Sequence, residues 1–144
     1  MAIKNMYEIL DQFKNVKTKQ ERIDVLRRND NYALRNVLIG AFDPNIKFTV
    51  KKVPDYKKMD VPPGLSYSHM TEALSKVYLF VDGNERRPSG LTEKRETELL
   101  IQILESLEEK ESEVFANMIR KDLKVPYLTS NIINEAFPGL LPEK

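Results

Sequence analysis

Thr18-Lys19-Gln20-Glu21-Arg22-Ile23-Asp24-Val25-Leu26-Arg27-Arg28-Asn29-Asp30-Asn31 decides the fold class. The Thr18 hydroxyl can accept from the backbone N–H of Glu21, and the Glu21 side chain can reach back, the reciprocal pattern that starts an α-helix. Ile23 and Leu26 carry this helix to about Arg28. Asn29-Asp30-Asn31 then breaks it and supplies an N-cap for the next.

The helical pattern extends in both directions. Upstream, Ile3, Met6, Leu10 and Phe13 recur at helical spacing, giving an amphipathic helix with one face for a core. Downstream, Leu34, Val37, Leu38 and Ala41 mark the buried side of a third helix. It stops before Asp43-Pro44, because proline disfavours helix in the residue before it.

Residues 45–65 change character. Ile46 to Val53 alternates partly and reads as a short extended piece. Pro54, Pro62, Pro63 and Gly64 keep the chain irregular beyond it. Unstructured stretches of this length inside a compact domain are often functional.

Helices resume with a cap at Ser66 or Ser68. The fourth is predicted to run through Met70, Leu74, Val77, Tyr78 and Val81, ending at Asp82-Gly83-Asn84. A polar connection spans 84–91. Thr92 caps a fifth helix carrying Leu99, Leu100, Ile103, Leu104 and Leu107, with Glu93, Glu96 and Glu98 in early turns where the helix dipole favours acids. A sixth carries Val114, Phe115, Met118 and Ile119 and is expected to end near Leu123. Thr129 or Ser130 caps a last short helix through Ile132, Ile133 and Ala136, terminated by Phe137-Pro138-Gly139. The expectation is an all-α, single-domain bundle over residues 1–144, with six or seven short helices and one irregular basic loop at about 44–65.

Composition removes several function classes. The 144 residues contain no cysteine and a single histidine, His69. Disulfide frameworks, thiolate zinc sites, cysteine nucleophiles and multi-histidine metal sites are thereby excluded. No cofactor or metal is expected. The five glycines form neither GxxxxGK nor GxGxxG, so no phosphate loop of those types exists. No apolar run approaches the roughly 20 residues of a membrane span, and the N-terminal segment carries Glu8, unlike a signal peptide. A cytoplasmic protein with no membrane partner is expected. Glu105, Glu108, Glu109, Glu111 and Glu113 read as a solvated helical face.

The net charge of +1 conceals a gradient. Residues 1–60 hold 13 Lys/Arg against 8 Asp/Glu; residues 61–100 hold 5 against 6; residues 101–144 hold 5 against 8. The basic excess belongs to the first part. Two groups can meet phosphate there and beyond. The first is Lys47, Lys51, Lys52, Lys57 and Lys58, interleaved with Phe48 and Tyr56. Flexible loop lysines neutralise phosphates without reading sequence, and equally serve as a solvated loop edge. The second spans Arg120 to Ser130, with Arg120, Lys121, Lys124, Thr129 and Ser130. The helix start there offers free N–H groups to an anion, and the same hydroxyls serve as ordinary caps.

Several of these segments, in this order, resemble the N-terminal DNA-binding domain of bacteriophage ATP-dependent DNA ligases. The opening resemblance runs through Thr18-Lys19-Gln20, Leu26, Asn29-Asp30-Asn31, Leu34 and Lys51-Lys52-Val53-Pro54. The closing one is Ile119-Arg120-Lys121-Asp122-Leu123, followed by Asn134-Glu135-Ala136-Phe137-Pro138-Gly139-Leu140-Leu141-Pro142. It implies a helical bundle that grips duplex DNA through phosphates from the minor-groove side. Two departures stand out. Val125-Pro126-Tyr127 occupies a turn where those ligases usually have glycine, and proline removes a backbone donor. The chain ends at Lys144 without a Lys-x-Asp-Gly adenylylation motif, so ligation is not expected.

The sequence therefore points to a non-catalytic phage accessory protein. Its expected partner is double-stranded DNA, intact or nicked, bound without sequence specificity in the infected bacterial cell. The alternative is a protein–protein adaptor that keeps the fold and acts on a phage or host replication or repair protein. Modest net charge, the acidic C-terminal half and the altered turn motivate that second reading.

Overall fold

A computed structural model of the chain describes residues 6–50, 52–57 and 70–141. Among them lie seven α-helices: α1 (Met6–Asn15), α2 (Lys19–Arg28), α3 (Tyr32–Phe42), α4 (Met70–Leu74), α5 (Glu93–Ser106), α6 (Glu109–Ile119) and α7 (Ser130–Ala136). One 3-10 turn, Val77–Phe80, follows α4. The described residues contain no β-strand, only an isolated antiparallel bridge between Phe48 and Val81. The all-α expectation holds.

Local chemistry sets most helix starts. The Thr18 hydroxyl accepts from Glu21 N–H at 3.1 Å, and Asn31 Oδ1 accepts from Leu34 N–H at 2.8 Å. Thr92 and Thr129 do the same for Arg95 and Ile132 at 3.1 and 3.3 Å. Each cap satisfies one of the donors that a helix start leaves unpaired, worth about 1 kcal/mol against alanine.

The core is one cluster, and α6 is its hub. This helix packs on α1, α3 and α5, while α2 joins α1 to α7 and α3 also meets α4. Phe115 and Met118 of α6 are fully buried, in one core cluster with Phe13, Leu34, Leu38, Phe80, Leu100 and Leu104. Burying one such side chain contributes roughly 1.5–3 kcal/mol. The pairs Lys19–Glu135 (2.9 Å) and Arg95–Glu98 (3.2 Å) are solvent-exposed, a setting in which an ion pair adds about 0–1 kcal/mol. Apolar burial therefore decides stability. Gly40 lets α3 and α6 approach closely, since a Cβ there would fall 2.7 Å from Met118 Sδ and 2.9 Å from its Cγ.

Three details depart from the sequence reading. The fourth helix does not run unbroken to Val81. It stops at Leu74, where Ser75 turns its hydroxyl back to the Glu72 carbonyl at 2.6 Å. The chain then tightens into the 3-10 turn, so that the Phe80 carbonyl can accept from Thr49 N–H at 2.7 Å. Long-range pairing with the basic loop overrides helical spacing here. The sixth helix ends at Ile119 rather than near Leu123, because Lys121 takes a left-handed backbone with φ 63°. Finally, the glutamate run is not wholly a solvated face: Glu108 and Glu111 are buried. Glu108 caps α6 itself, accepting from Lys110 and Glu111 N–H at 3.2 and 3.4 Å.

Candidate nucleic-acid interface

The basic loop is pinned to the bundle along its described length. Asp43 Oδ1 accepts from Asn45 N–H at 2.8 Å as the chain leaves α3. The Lys47 carbonyl accepts from Asp82 N–H at 2.7 Å, and Phe48 pairs with Val81. The extended piece expected at Ile46–Val53 is thus reduced to one bridge. Val53 is buried, and Lys57 N–H donates to Glu105 Oε2 of α5 at 2.7 Å. The side chains of Lys47, Lys52 and Lys57 stay exposed. Lys51 and Lys58, predicted for the same loop, lie outside the described residues, as do His69 and the proposed caps Ser66 and Ser68.

A buried polar cluster holds this loop against α5. Glu96, only 4% exposed, forms an ion pair with Arg87 at 2.7 Å and accepts a short hydrogen bond from the Thr49 hydroxyl. Arg87 also donates to the Leu79 carbonyl at 2.9 Å. By sequence Glu96 reads as a dipole-complementing surface acid. It is instead the joint that fixes the loop, and its spacing from Arg87 carries no warning of that.

The exit of α6 supplies the second basic group. Lys121, Lys124 and Tyr127 all take positive φ, at 63°, 58° and 67°. A left-handed backbone costs a non-glycine residue about 1–2 kcal/mol, so each needs compensation. Lys124 N–H donates to Asp122 Oδ1 at 2.9 Å. The exposed Tyr127 ring lies under the Arg22 guanidinium at 4.0 Å.

Lys121 is compensated most heavily. Its ammonium donates to the carbonyls of Gly40, Asp43 and Ile46 at 2.7, 2.8 and 3.0 Å. It thereby caps the C-terminal end of α3, where the helix dipole favours a cation. Burial pulls its pKa below the ordinary lysine value, opposed by the nearby Asp43 charge. Lys121 was predicted as a phosphate contact, and its donors are occupied by the protein's own backbone. Thr129 and Ser130 resolve similarly toward the ordinary alternative: Thr129 is the N-cap of α7 and Ser130 its first residue.

Loop and exit do meet. Phe48, Val50, Lys52 and Val53 from the loop line one open groove with Ile119, Arg120 and Lys121. Lys52 and Arg120 are exposed there, and neither is ion-paired among the described residues. Arg120 is oriented by a hydrogen bond to Asn117 Oδ1 at 2.9 Å. Lys124 does not line this groove; it lines a second cleft, between α6 and α1. Among the described residues no group of acidic or histidine side chains has metal-holding geometry, and no helix is long and apolar enough to cross a membrane.

These features define an all-α domain with two lysine-lined clefts, one at the exit of α6 and one between α6 and α1. The chain belongs to a family of unknown function, DUF6433, whose pattern matches residues 9–125. That span takes in the loop, Arg120 and Lys124, and leaves α7 outside. Comparison with curated proteins gave no match.

Proposed function

We propose that this protein is a non-catalytic phage accessory protein that binds duplex DNA, intact or nicked, through its phosphates in the cytoplasm of the infected cell. One observation carries the reading: Lys52 and Arg120, far apart in sequence, line one groove with no carboxylate on its wall among the described residues. Lys47, Lys57 and Lys124 are further exposed cations on the same loop and exit. Lys51 and Lys58 extend the loop group in sequence. Point charges on flexible stems suit a repeating phosphate backbone and read no base edge.

The test is a fluorescence-anisotropy titration of nicked, intact and single-stranded DNA across a salt series. Four or five phosphate contacts predict a log K against log salt slope of about −4 for duplex. The K52Q/R120Q variant should lower that slope by about 2, because each lost contact removes about 1. Absence of affinity for any DNA at low salt overturns the reading.

One observation favours the adaptor reading. Tyr127 is 67% exposed with its ring stacked against Arg22, and an exposed aromatic of this kind suits an anchor for a protein partner. A replication or repair protein of phage or host that co-purifies after nuclease treatment, and is lost in Y127A, would support it over DNA.

A further inference from the structure

The second cleft has its own construction. It lies between α1 and α6 and is lined by Lys14, Lys110 and Lys124, with Asp11, Glu113 and Asn117. Lys14 stands 4.0 Å from Asp11, an exposed pair at the limit of contact. Lys110 sits over the Tyr7 ring, its nitrogen 5.2 Å from the centroid. Neither Lys110 nor Lys124 has an ion-pair partner among the described residues.

Asn117 is the informative residue. It is 95% buried, being 5% exposed, and such an amide normally satisfies both ends. Its Oδ1 is taken by Arg120. Its Nδ2 has no acceptor among the described residues. Among the described residues no fully buried side-chain polar atom lacks a partner, so this donor keeps some access to solvent, and Asn117 lines the cleft. A buried amide donor beside three ammonium groups suits an anionic oxygen.

We infer that the α1–α6 cleft is a second phosphate seat, in which Lys14, Lys110, Lys124 and the Asn117 amide receive the backbone of the same nucleic acid whose neighbouring phosphates meet Lys52 and Arg120. The inference rests on the DNA-binding reading above and extends it to residues outside both basic groups. Asn117 links the two: its Oδ1 accepts from Arg120, which lines the first groove, and Asn117 itself lines the second. The left-handed backbone at Lys124, braced by Asp122, brings that lysine to the cleft.

The experiment compares parent, K14Q/K110Q, N117D and the distant control K76Q in the salt titration with nicked duplex. K14Q/K110Q should lower the salt slope by about 2 with unchanged thermal stability. N117D keeps the acceptor for Arg120 and replaces the donor with a carboxylate, so its affinity should fall about tenfold or more. K76Q should match the parent. Should N117D fail to fold, K14Q/K110Q still decides. A K14Q/K110Q slope equal to the parent's, while K52Q/R120Q loses its contacts, overturns the second seat and leaves the first. A parent without DNA affinity overturns both.

Discussion

Two helix ends in this bundle are finished by charges from distant sequence, one of each sign. At the C-terminal end of α3, Lys121 donates to three carbonyls. At the start of α1, Glu111 of α6 accepts from Tyr7 N–H at 2.8 Å, across 104 residues, with the Met6 N–H beside it. Both signs agree with the helix dipole. The difference lies in solvation. The lysine stem lets its head keep some contact with water, and three strong acceptors surround it. Glu111 is far more enclosed, and Glu108 and Glu8 add like charge, so desolvation wins over its two N–H partners and its pKa is pushed up to about 7. The two caps thus differ: burial lowers the pKa of the lysine against the opposing Asp43 charge, and leaves the glutamate poised to titrate near neutral pH.

Removing the lysine breaks the comparison most severely. Lys121→Met removes the ammonium from the carbonyls of Gly40, Asp43 and Ile46 while keeping the stem's bulk, and among the described residues leaves only Asp43 with another donor, Ile46 N–H. Hydrogen bonds to charged groups contribute about 1.5–3 kcal/mol each in favourable cases, so a net loss of about 3 kcal/mol is expected in urea unfolding. A variant as stable as the parent would mean that water replaces the ammonium without cost.

Glu111 gives the next effect, and it depends on pH. A carboxyl whose folded pKa lies above its unfolded value of 4.5 binds protons more tightly when folded. Its contribution is therefore full below pH 4.5 and is lost as pH rises to about 7. Glu111→Gln keeps an acceptor for Tyr7 N–H and removes the charge. It should be neutral near pH 4 and stabilising by about 2–3 kcal/mol at pH 8, since each tenfold gain in proton affinity on folding is worth about 1.4 kcal/mol. Melting curves at the two pH values decide it; equal increments at both would refute the titrating cap.

The smallest effect sharpens the contrast with ordinary caps. Thr129→Ala should cost about 1 kcal/mol at every pH between about 4 and 8. If Thr129 only caps α7, the DNA salt slope should be unchanged.

What can be read from sequence follows the range of the interactions. The caps at Thr18, Asn31, Thr92 and Thr129 act within three residues, and their residue types announce them. The apolar faces of α1, α3 and α6 repeat at helical spacing and are equally plain. Glu96, Glu111 and Lys121 read as surface residues, because a buried charge looks like a solvated one until its partner is known. Those partners lie 47, 104 and up to 81 residues away. The candidate site is legible in part for the same reason. Lys52 and Arg120 stand out in two separate stretches, whereas Asn117 sits among the apolar residues of the second half of α6 with nothing local to mark it.

The tie between α2 and α7 sets an order of events. Arg27 reaches across the bundle to the carbonyls of Glu135 and Ala136, at 2.8 and 3.2 Å, and so finishes the last helix from the second. Contacts this far apart in sequence carry a high loop-closure entropy and are slow to form. A ribosome-bound chain can pair α1 with α2 early, but the outer face of α2 waits for α7 to emerge. The seam between them shuts only once α7 has been made and, by the same reasoning, is an early place for hydrogen exchange to find the molecule open.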